Sequence, residues 1–341
     1  MHFDVIAVGD FRFPGGTSSA LASEVTALAK AGYRVALMAM EGSVLRYPHP
    51  MHPAIRKLID DGQALLVPPT TRIEARLCLL HHPQVFERWP HQPLHIKADQ
   101  TLLIVHHPLM NAAGTPYYDW SQIDQVTRAL FGDVRWAPVG PKVRAQFAKA
   151  LNAPKLHDED WLNVLDCDAW ALPRAGFMGA RPQIGRHSRP DPAKWPADRE
   201  GFLAAYPDDP QIDVHLMGYG AAQESIVGAA PKNWRILPFG AMPPRDFLAR
   251  LDYFVYHHHP HWVEAYGRSI LEAMACGVVP ILAPHFRPLF GDAAVYSAPE
   301  AVRETVLDLH SNPARYLAQV QRSVDTARTM GDVSVLVKRV E

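Results

Sequence analysis

The sequence is short of the features that would tie it to an oxidising, metal-stapled or membrane-spanning setting. Its three cysteines, Cys78, Cys167 and Cys276, are too few and too scattered for a disulfide framework or a zinc ribbon. Cys276, at the end of an apolar helical pattern, reads as a buried thiol. No apolar run approaches the ~20 residues of a membrane span, and the N-terminus lacks a signal-peptide pattern. The expectation is a cytoplasmic protein, and a local surface patch would still allow peripheral contact with the inner membrane. An excess of one charge is missing too. With 34 Lys and Arg against 35 Asp and Glu, the net charge is −1, which argues against a nucleic-acid partner. G-x-G-x-x-G is absent, which disfavours a nicotinamide oxidoreductase, and no H-E-x-x-H spacing offers a helical metal site.

What is present is an ordinary globular composition, 48% hydrophobic and 20% charged, over a length of 341 residues that has room for two cores. Phe3 to Val8 is an apolar run fit for a buried strand. GDFRFPGGTSS follows, then a helical stripe of Leu21, Val25 and Leu28, a stop at Gly32, and a second strand from Tyr33. This strand–glycine loop–helix–strand opening is of the doubly wound kind. Residues 41 to 100 give no confident pattern: HPAIRKLIDDG suggests a helix, ALLVPP a strand, and EARLCLLHHP a buried or amphipathic segment. Leu102 to Val105 is a clear buried strand that ends in His106, His107 and Pro108, where open α/β sheets bind ligands. IDQVTRALFG and PKVRAQFAKAL read as helices around the strand VRWAPVG. The acid-, Trp- and Pro-rich stretch that follows marks a domain connection near 172.

The second half is organised around residues 257 to 283, HHHPHWVEAYGRSILEAMACGVVPILA. YFVY, Tyr253 to Tyr256, is a strand; Ile270, Leu271 and Met274 recur at helical spacing; Gly277 stops the helix; and Val278 to Leu282 is another buried strand. The unit is βαβ, with Glu264 just before the helix and Glu272 inside it. Eight residues at about 1.5 Å rise put roughly 12 Å between them. A helix start presents amide N–H groups, expected here at Ala265, Tyr266 and Gly267, and so is suited to phosphate. Of the 18 histidines, His257, His258, His259 and His261 form one run, yet along a strand only His257 and His259 could share a face. No metal site is expected.

The pattern E-A-Y-G-R-S-I-L-E-A-M-A-C-G, residues 264 to 277, resembles the E-x7-E signature of retaining nucleotide-sugar glycosyltransferases with the GT-B fold. It is most similar to the large bacterial group numbered family 4. The resemblance implies an α/β protein of two doubly wound, Rossmann-like domains facing a central crevice. Residues 1–172 would bind the acceptor, 173–320 the donor, and a C-terminal helix over 321–341 would cross back to the first domain. It implies Glu264 on sugar hydroxyls, Glu272 on ribose hydroxyls, and Arg186 and Lys194 on the diphosphate. Tyr266 and Gly267 would support the departing charge, and the Gly15-Gly16 loop would bring backbone close to the donor. His106 matches the second histidine of the family's H-x-H-x-P region, which meets the transferred sugar. Two departures stand out. Ile104 replaces the first histidine and His107 is additional; and the loop after Arg186 lacks a glycine after Lys194, with Arg189 a nearby substitute.

The implied reaction moves a sugar from a UDP- or GDP-linked donor to a saccharide, lipid-linked or other acceptor. It retains configuration and uses no metal or other cofactor, the nucleotide sugar being a co-substrate. The leaving phosphate would help deprotonate the acceptor, so no protein nucleophile is nominated. Envelope polysaccharide or glycolipid assembly is the commonest setting of this group. A nucleotide-sugar epimerase on the same fold, or a non-catalytic nucleotide-sugar binder, are the alternatives; the joint presence of Glu264, Glu272 and Arg186 argues against the second.

Overall fold

The computed structural model describes residues 1–45, 47–150 and 152–341. The chain forms two compact units: Met1–Asp166 with Glu264–Tyr266 and Asp332–Glu341, and Cys167–Val263 with Gly267–Gly331. The first unit runs β1 (His2–Gly9), α1 (Gly16–Lys30), β2 (Val35–Ala39), α2 (Pro53–Asp60), β3 (Leu65–Leu66), β4 (Arg72–His81), β5 (His95–Val105), α3 (Trp120–Phe131), β6 (Val134–Pro138) and α4 (Pro141–Phe147). Its six strands pair in parallel in the order β3-β2-β1-β4-β5-β6. β1 is central and buried on both faces from Val5 to Gly9, which is why it reads as a continuous apolar run. β4 is different: its first half alternates exposed and buried residues and its second half is wholly buried. Neither periodicity runs its length, which hides β4 and the first half of β5, whereas HPAIRKLIDDG and ALLVPP hold the helix α2 and the strand β3 that they suggest. α4 ends at Phe147, and Leu151, the last residue of its helical pattern, lies outside the described residues.

The second unit runs α5 (Cys167–Trp170), β7 (Gln183–His187), α6 (Arg199–Ala205), β8 (Asp213–Met217), α7 (Ala221–Val227), β9 (Trp234–Leu237), α8 (Pro244–Leu248), β10 (Tyr253–Tyr256), α9 (Arg268–Ala275), β11 (Val279–Leu282), α10 (Arg287–Phe290), β12 (Val295–Tyr296), α11 (Val302–His310) and α12 (Pro313–Gly331). Its parallel sheet has the order β12-β11-β10-β7-β8-β9. Numbered from β7, this is the same doubly wound order as the first unit, read from the other edge. Ile184, Val214, Val255 and Ile281 fill the sheet's core, with Phe202 and Val306 from helices on it, each wholly buried. Burial of such side chains contributes about 1.5–3 kcal/mol apiece. Arg174 closes the base of this unit by donating to the carbonyls of Leu248 (2.9 Å), Leu251 (2.8 Å) and Cys276 (3.2 Å). α12 packs on α9, and the last helix, α13 (Val333–Val340), packs on α1 within the first unit.

In each sheet the strand order reverses between two central neighbours, β1 and β4 in the first unit, β7 and β10 in the second. The carboxyl ends of those strands are where such sheets take ligands.

Candidate functional site

In the second unit, β7 delivers Arg186 and His187 to the reversal point. Arg186 has no exposed surface. Its guanidinium lies between the rings of Trp195 (4.7 Å) and Tyr256 (4.1 Å), and Nη1 donates to the His257 carbonyl at 2.8 Å. Nε and Nη2 have no hydrogen-bond partner among the described residues. Through Nη1, Arg186 ties the end of β10 to β7. Lys194 is half-buried, its Nζ 4.3 Å from the centre of the Trp262 ring. His259 N–H donates to the Ala193 carbonyl (3.3 Å), joining the loop after β7 to the loop after β10. Arg189, also half-buried, lies in the first of these loops.

Glu272 is 8% exposed. Its Oε1 accepts from Arg268 Nε at 3.1 Å and its Oε2 lies 3.5 Å from His187 Nε2. Burial pushes the Glu272 carboxyl up, against the pull of Arg268. Burial, helped by the Arg186 charge, pushes His187 down to about 3, so it is neutral at ordinary pH. α9 opens from Gly267, whose left-handed φ of 88° admits glycine readily and little else. Its first turn begins with Arg268 and Ser269, since Ile270 and Leu271 already donate to the Gly267 carbonyl. The phosphate-facing amides expected at Ala265, Tyr266 and Gly267 are thus displaced toward Arg268 and Ser269, because the left-handed Gly267 breaks the helical geometry before it. Glu264 and Tyr266 pack with the first unit. Glu264 is half-buried close enough to Lys142 to oppose the effect of burial, which lowers the lysine's pKa. The Tyr266 hydroxyl donates to the Asn163 carbonyl at 3.2 Å.

In the first unit, the chain leaves β1 through Gly15, whose φ of 97° caps α1. A Cβ on Gly16 would meet nothing within 4 Å, so there is open space above the helix start. His106 follows β5 and is half-buried; its Nε2 lies 3.0 Å from His81 Nδ1, with the two rings stacked. His81, at the end of β4, is buried and is pushed down to about 3, first by burial and then by His82. Behind it, Glu24 Oε2 lies 3.4 Å from His81 Nε2, and Glu24 Oε1 accepts from Trp161 Nε1 at 2.9 Å.

The histidine run does not act as one cluster. The His257 carbonyl takes Arg186, His258 Nε2 lies 3.3 Å from His285 Nε2, and His259 Nδ1 accepts from His261 N–H at 3.1 Å. Among the described residues, no group of three or more His, Cys, Asp or Glu could hold a metal ion. All three cysteines are buried thiols outside any disulfide. No described helix is long and apolar enough to cross a membrane.

Three residues of this geometry escape the sequence patterns: Glu24, His81 and His187. Glu24 carries the plainest signal, because it falls on the apolar stripe between Leu21 and Leu28, where a carboxylate is out of place. His187 adjoins Arg186, and His81 ends a strand that the patterns do not assign.

The sequence matches no protein-family model and no curated protein. Solved structures match over nearly the whole chain. HepE from Anabaena in complex with UDP-glucose is 11% identical, with a TM-score of 0.68 over 99% of this chain and 98% of that one. A glycosyltransferase from Rickettsia africae is 10% identical, with a TM-score of 0.69 over 98% and 96%. WaaG, a glycosyltransferase involved in lipopolysaccharide biosynthesis, is 14% identical, with a TM-score of 0.59 over 98% of each chain. The fold is GT-B. Two six-stranded parallel sheets with flanking helices are what a GT-B chain requires, and each has the doubly wound order.

Proposed function

We propose that this GT-B protein is a nucleotide-sugar glycosyltransferase that takes a UDP-linked donor, retains the sugar's configuration and needs no metal ion. Glu272 carries the reading. A mid-helix glutamate would ordinarily face water, and this one is buried at the carboxyl end of the switch-point strands, against Arg268 and neutral His187. There it is held as a hydrogen-bond acceptor suited to ribose hydroxyls. The neighbouring first turn of α9 offers amides and a positive dipole end to a diphosphate. Lys194 and Arg189 are the cations of the β7 loop for the same group, with Arg186 supporting them from the core by shaping the β7 and β10 loops. Glu264 and His106 act on sugar hydroxyls, and the Gly15-Gly16 loop lets a ligand approach the backbone. These fixed charges favour the leaving diphosphate as its charge develops. The UDP-glucose held by HepE supports uridine as the base. The saccharide or glycolipid acceptor belongs to the first unit, in keeping with the lipopolysaccharide role of WaaG.

A thermal-shift panel of UDP-, GDP-, ADP- and dTDP-linked sugars, with and without EDTA, tests this. A ligand at 100 times its Kd stabilises by about 2.7 kcal/mol. The expected result is a rise with one or more UDP-sugars that EDTA leaves unchanged. A rise abolished by EDTA would remove the metal-free mechanism, and no rise with any donor would remove the transferase reading.

A further inference from the structure

Two neighbouring strands of the first unit end alike. β4 runs out in Leu80-His81-His82-Pro83 and β5 in Val105-His106-His107-Pro108. Their register sets His81 opposite Ile104, so the four rings gather at the carboxyl edge of one sheet. His81 stacks on His106, and the His82 and His107 ring centres are 5.9 Å apart. Of the four, His82 is strained. Its φ of 76° and ψ of 116° fall outside the three main regions that side-chain-bearing residues occupy, the left-handed helical one included. Pro83 adds to this, since a proline drives the residue before it to extended geometry with negative φ. Among the described residues other than glycine, only Asn152 also has a positive φ, and asparagine tolerates it more readily. The turn is fixed from both sides: His82 N–H donates to the Ile104 carbonyl at 3.2 Å, and the His82 carbonyl accepts from Val85 N–H at 3.1 Å. A glycine would make the same turn without strain.

The ring so placed is 7% exposed, and its Nδ1 is buried with no hydrogen-bond partner among the described residues. Backbone strain and an unpaired buried nitrogen on one residue are marks of a functional position. The location agrees. β4 is one of the two strands at the sheet's reversal point, and the His82 ring centre lies 4.9 Å from that of Phe13, in the loop that leads from β1 to Gly15-Gly16. Above Gly16 there is open space. Burial first, then His107 and His106, holds the His82 pKa well below the ordinary imidazole range against the opposite pull of Asp10, so the ring is neutral. A neutral imidazole offers one donor and one accepting nitrogen, which suits a hydroxyl better than a phosphate or a carboxylate. We propose that His82 is a further binding residue of the first unit, which hydrogen-bonds a hydroxyl of the saccharide acceptor. The identity of that ligand rests on the transferase reading above; the strained placement of the imidazole does not.

The test compares His82→Gly and His82→Ala with the wild-type full chain, using UDP-glucose as donor and methyl glycosides of common hexoses as acceptors. Glycine adopts the turn freely, whereas alanine keeps a Cβ at positive φ, so His82→Gly should melt above His82→Ala; the reverse order would overturn the strained placement. UDP affinity of His82→Gly, read by isothermal titration, should stay within about twofold of wild type, because the nucleotide is assigned to the second unit. Its kcat/KM for the glycoside should fall at least ~10-fold, and free imidazole should restore part of the loss by taking the place of the missing ring. Transfer at the wild-type rate by folded His82→Gly would overturn the proposal, and so would a loss of transfer matched by an equal loss of UDP affinity, which a merely structural role would give. Independently of turnover and of whether the variants fold, wild-type chain labelled with 15N-histidine should show the His82 ring resonances moving on titration with the same glycosides. Resonances that stay in place would overturn the proposal. A wild type that neither binds UDP nor transfers sugar would instead overturn the transferase reading, with the histidine spectra still deciding whether His82 meets a saccharide.

Discussion

At the residue scale the two glutamates of the E-x7-E spacing differ in setting, and so their variants should differ in effect. Glu264 is half-buried near Lys142 in a non-helical segment. Glu264→Ala should cut sugar transfer by about 100-fold and leave the melting temperature within a few degrees, since charge-assisted hydrogen bonds contribute about 1.5–3 kcal/mol. Full transfer activity in Glu264→Ala would remove Glu264 from the site. Glu272 is buried and paired with Arg268, so Glu272→Ala leaves an uncompensated cation and should destabilise the fold as well as weaken the donor. Glu272→Gln keeps an acceptor oxygen and should separate the two effects. Melting curves and donor titrations on both variants check this. The glutamate spacing was legible because it sits among apolar residues with a strict helical period. The buried state of Arg186 was not: a glycine, an arginine and a strand end look alike in sequence whether the side chain faces a ligand or lies between Trp195 and Tyr256.

At the scale of elements, short helices and strands in the second unit depend on single side chains that gather several backbone groups. Arg174 bonds the ends of α8 and α9 through the Leu248, Leu251 and Cys276 carbonyls. Arg174→Ala should lower stability in denaturant by about 2–4 kcal/mol. A change under 0.5 kcal/mol would show that water replaces the guanidinium without loss. This contact joins residues far apart in sequence, and no local pattern announces it. The same holds for the line from Glu24 through His81 to His106, whose members come from α1, β4 and the end of β5. Elements buried on both faces, such as β1 and β10, were evident as apolar runs. β4 was not, because it passes from one-sided to two-sided burial midway along its length.

At the scale of the whole molecule, histidine burial sets the pH response. Burial first, with neighbouring basic side chains second, pushes His81, His187 and His257 down to about 3 and His215 to about 4. The unfolded chain takes up protons on these groups below about pH 6.5, and the folded chain does not until pH 3–4. Stability is therefore fully present above 6.5 and falls as pH drops, by about 1.4 kcal/mol per pH unit for each such histidine. Glu272 and Asp252 act in the opposite sense, since burial raises both and favours the fold in acid, but four histidines outweigh two carboxylates between pH 6.5 and 4.5. Melting temperatures should fall steeply from pH 7 to 5; a flat profile would show that these rings take up protons in place. The two doubly wound halves were readable from alternating strand and helix patterns. The divisions at Asp166 and again at Asp332 rest on long-range packing such as that of α13 on α1.

The central claim is that the second unit holds the nucleoside diphosphate through Glu272 and the start of α9. Isothermal titration of UDP into the wild-type chain and into Glu272→Gln, in EDTA, tests it most directly. The account predicts saturable 1:1 binding to the wild type, weakened about 10- to 100-fold in the variant, with both proteins folded to the same melting temperature within a few degrees. Equal UDP affinity in the two proteins, or no binding to the wild type, would contradict it.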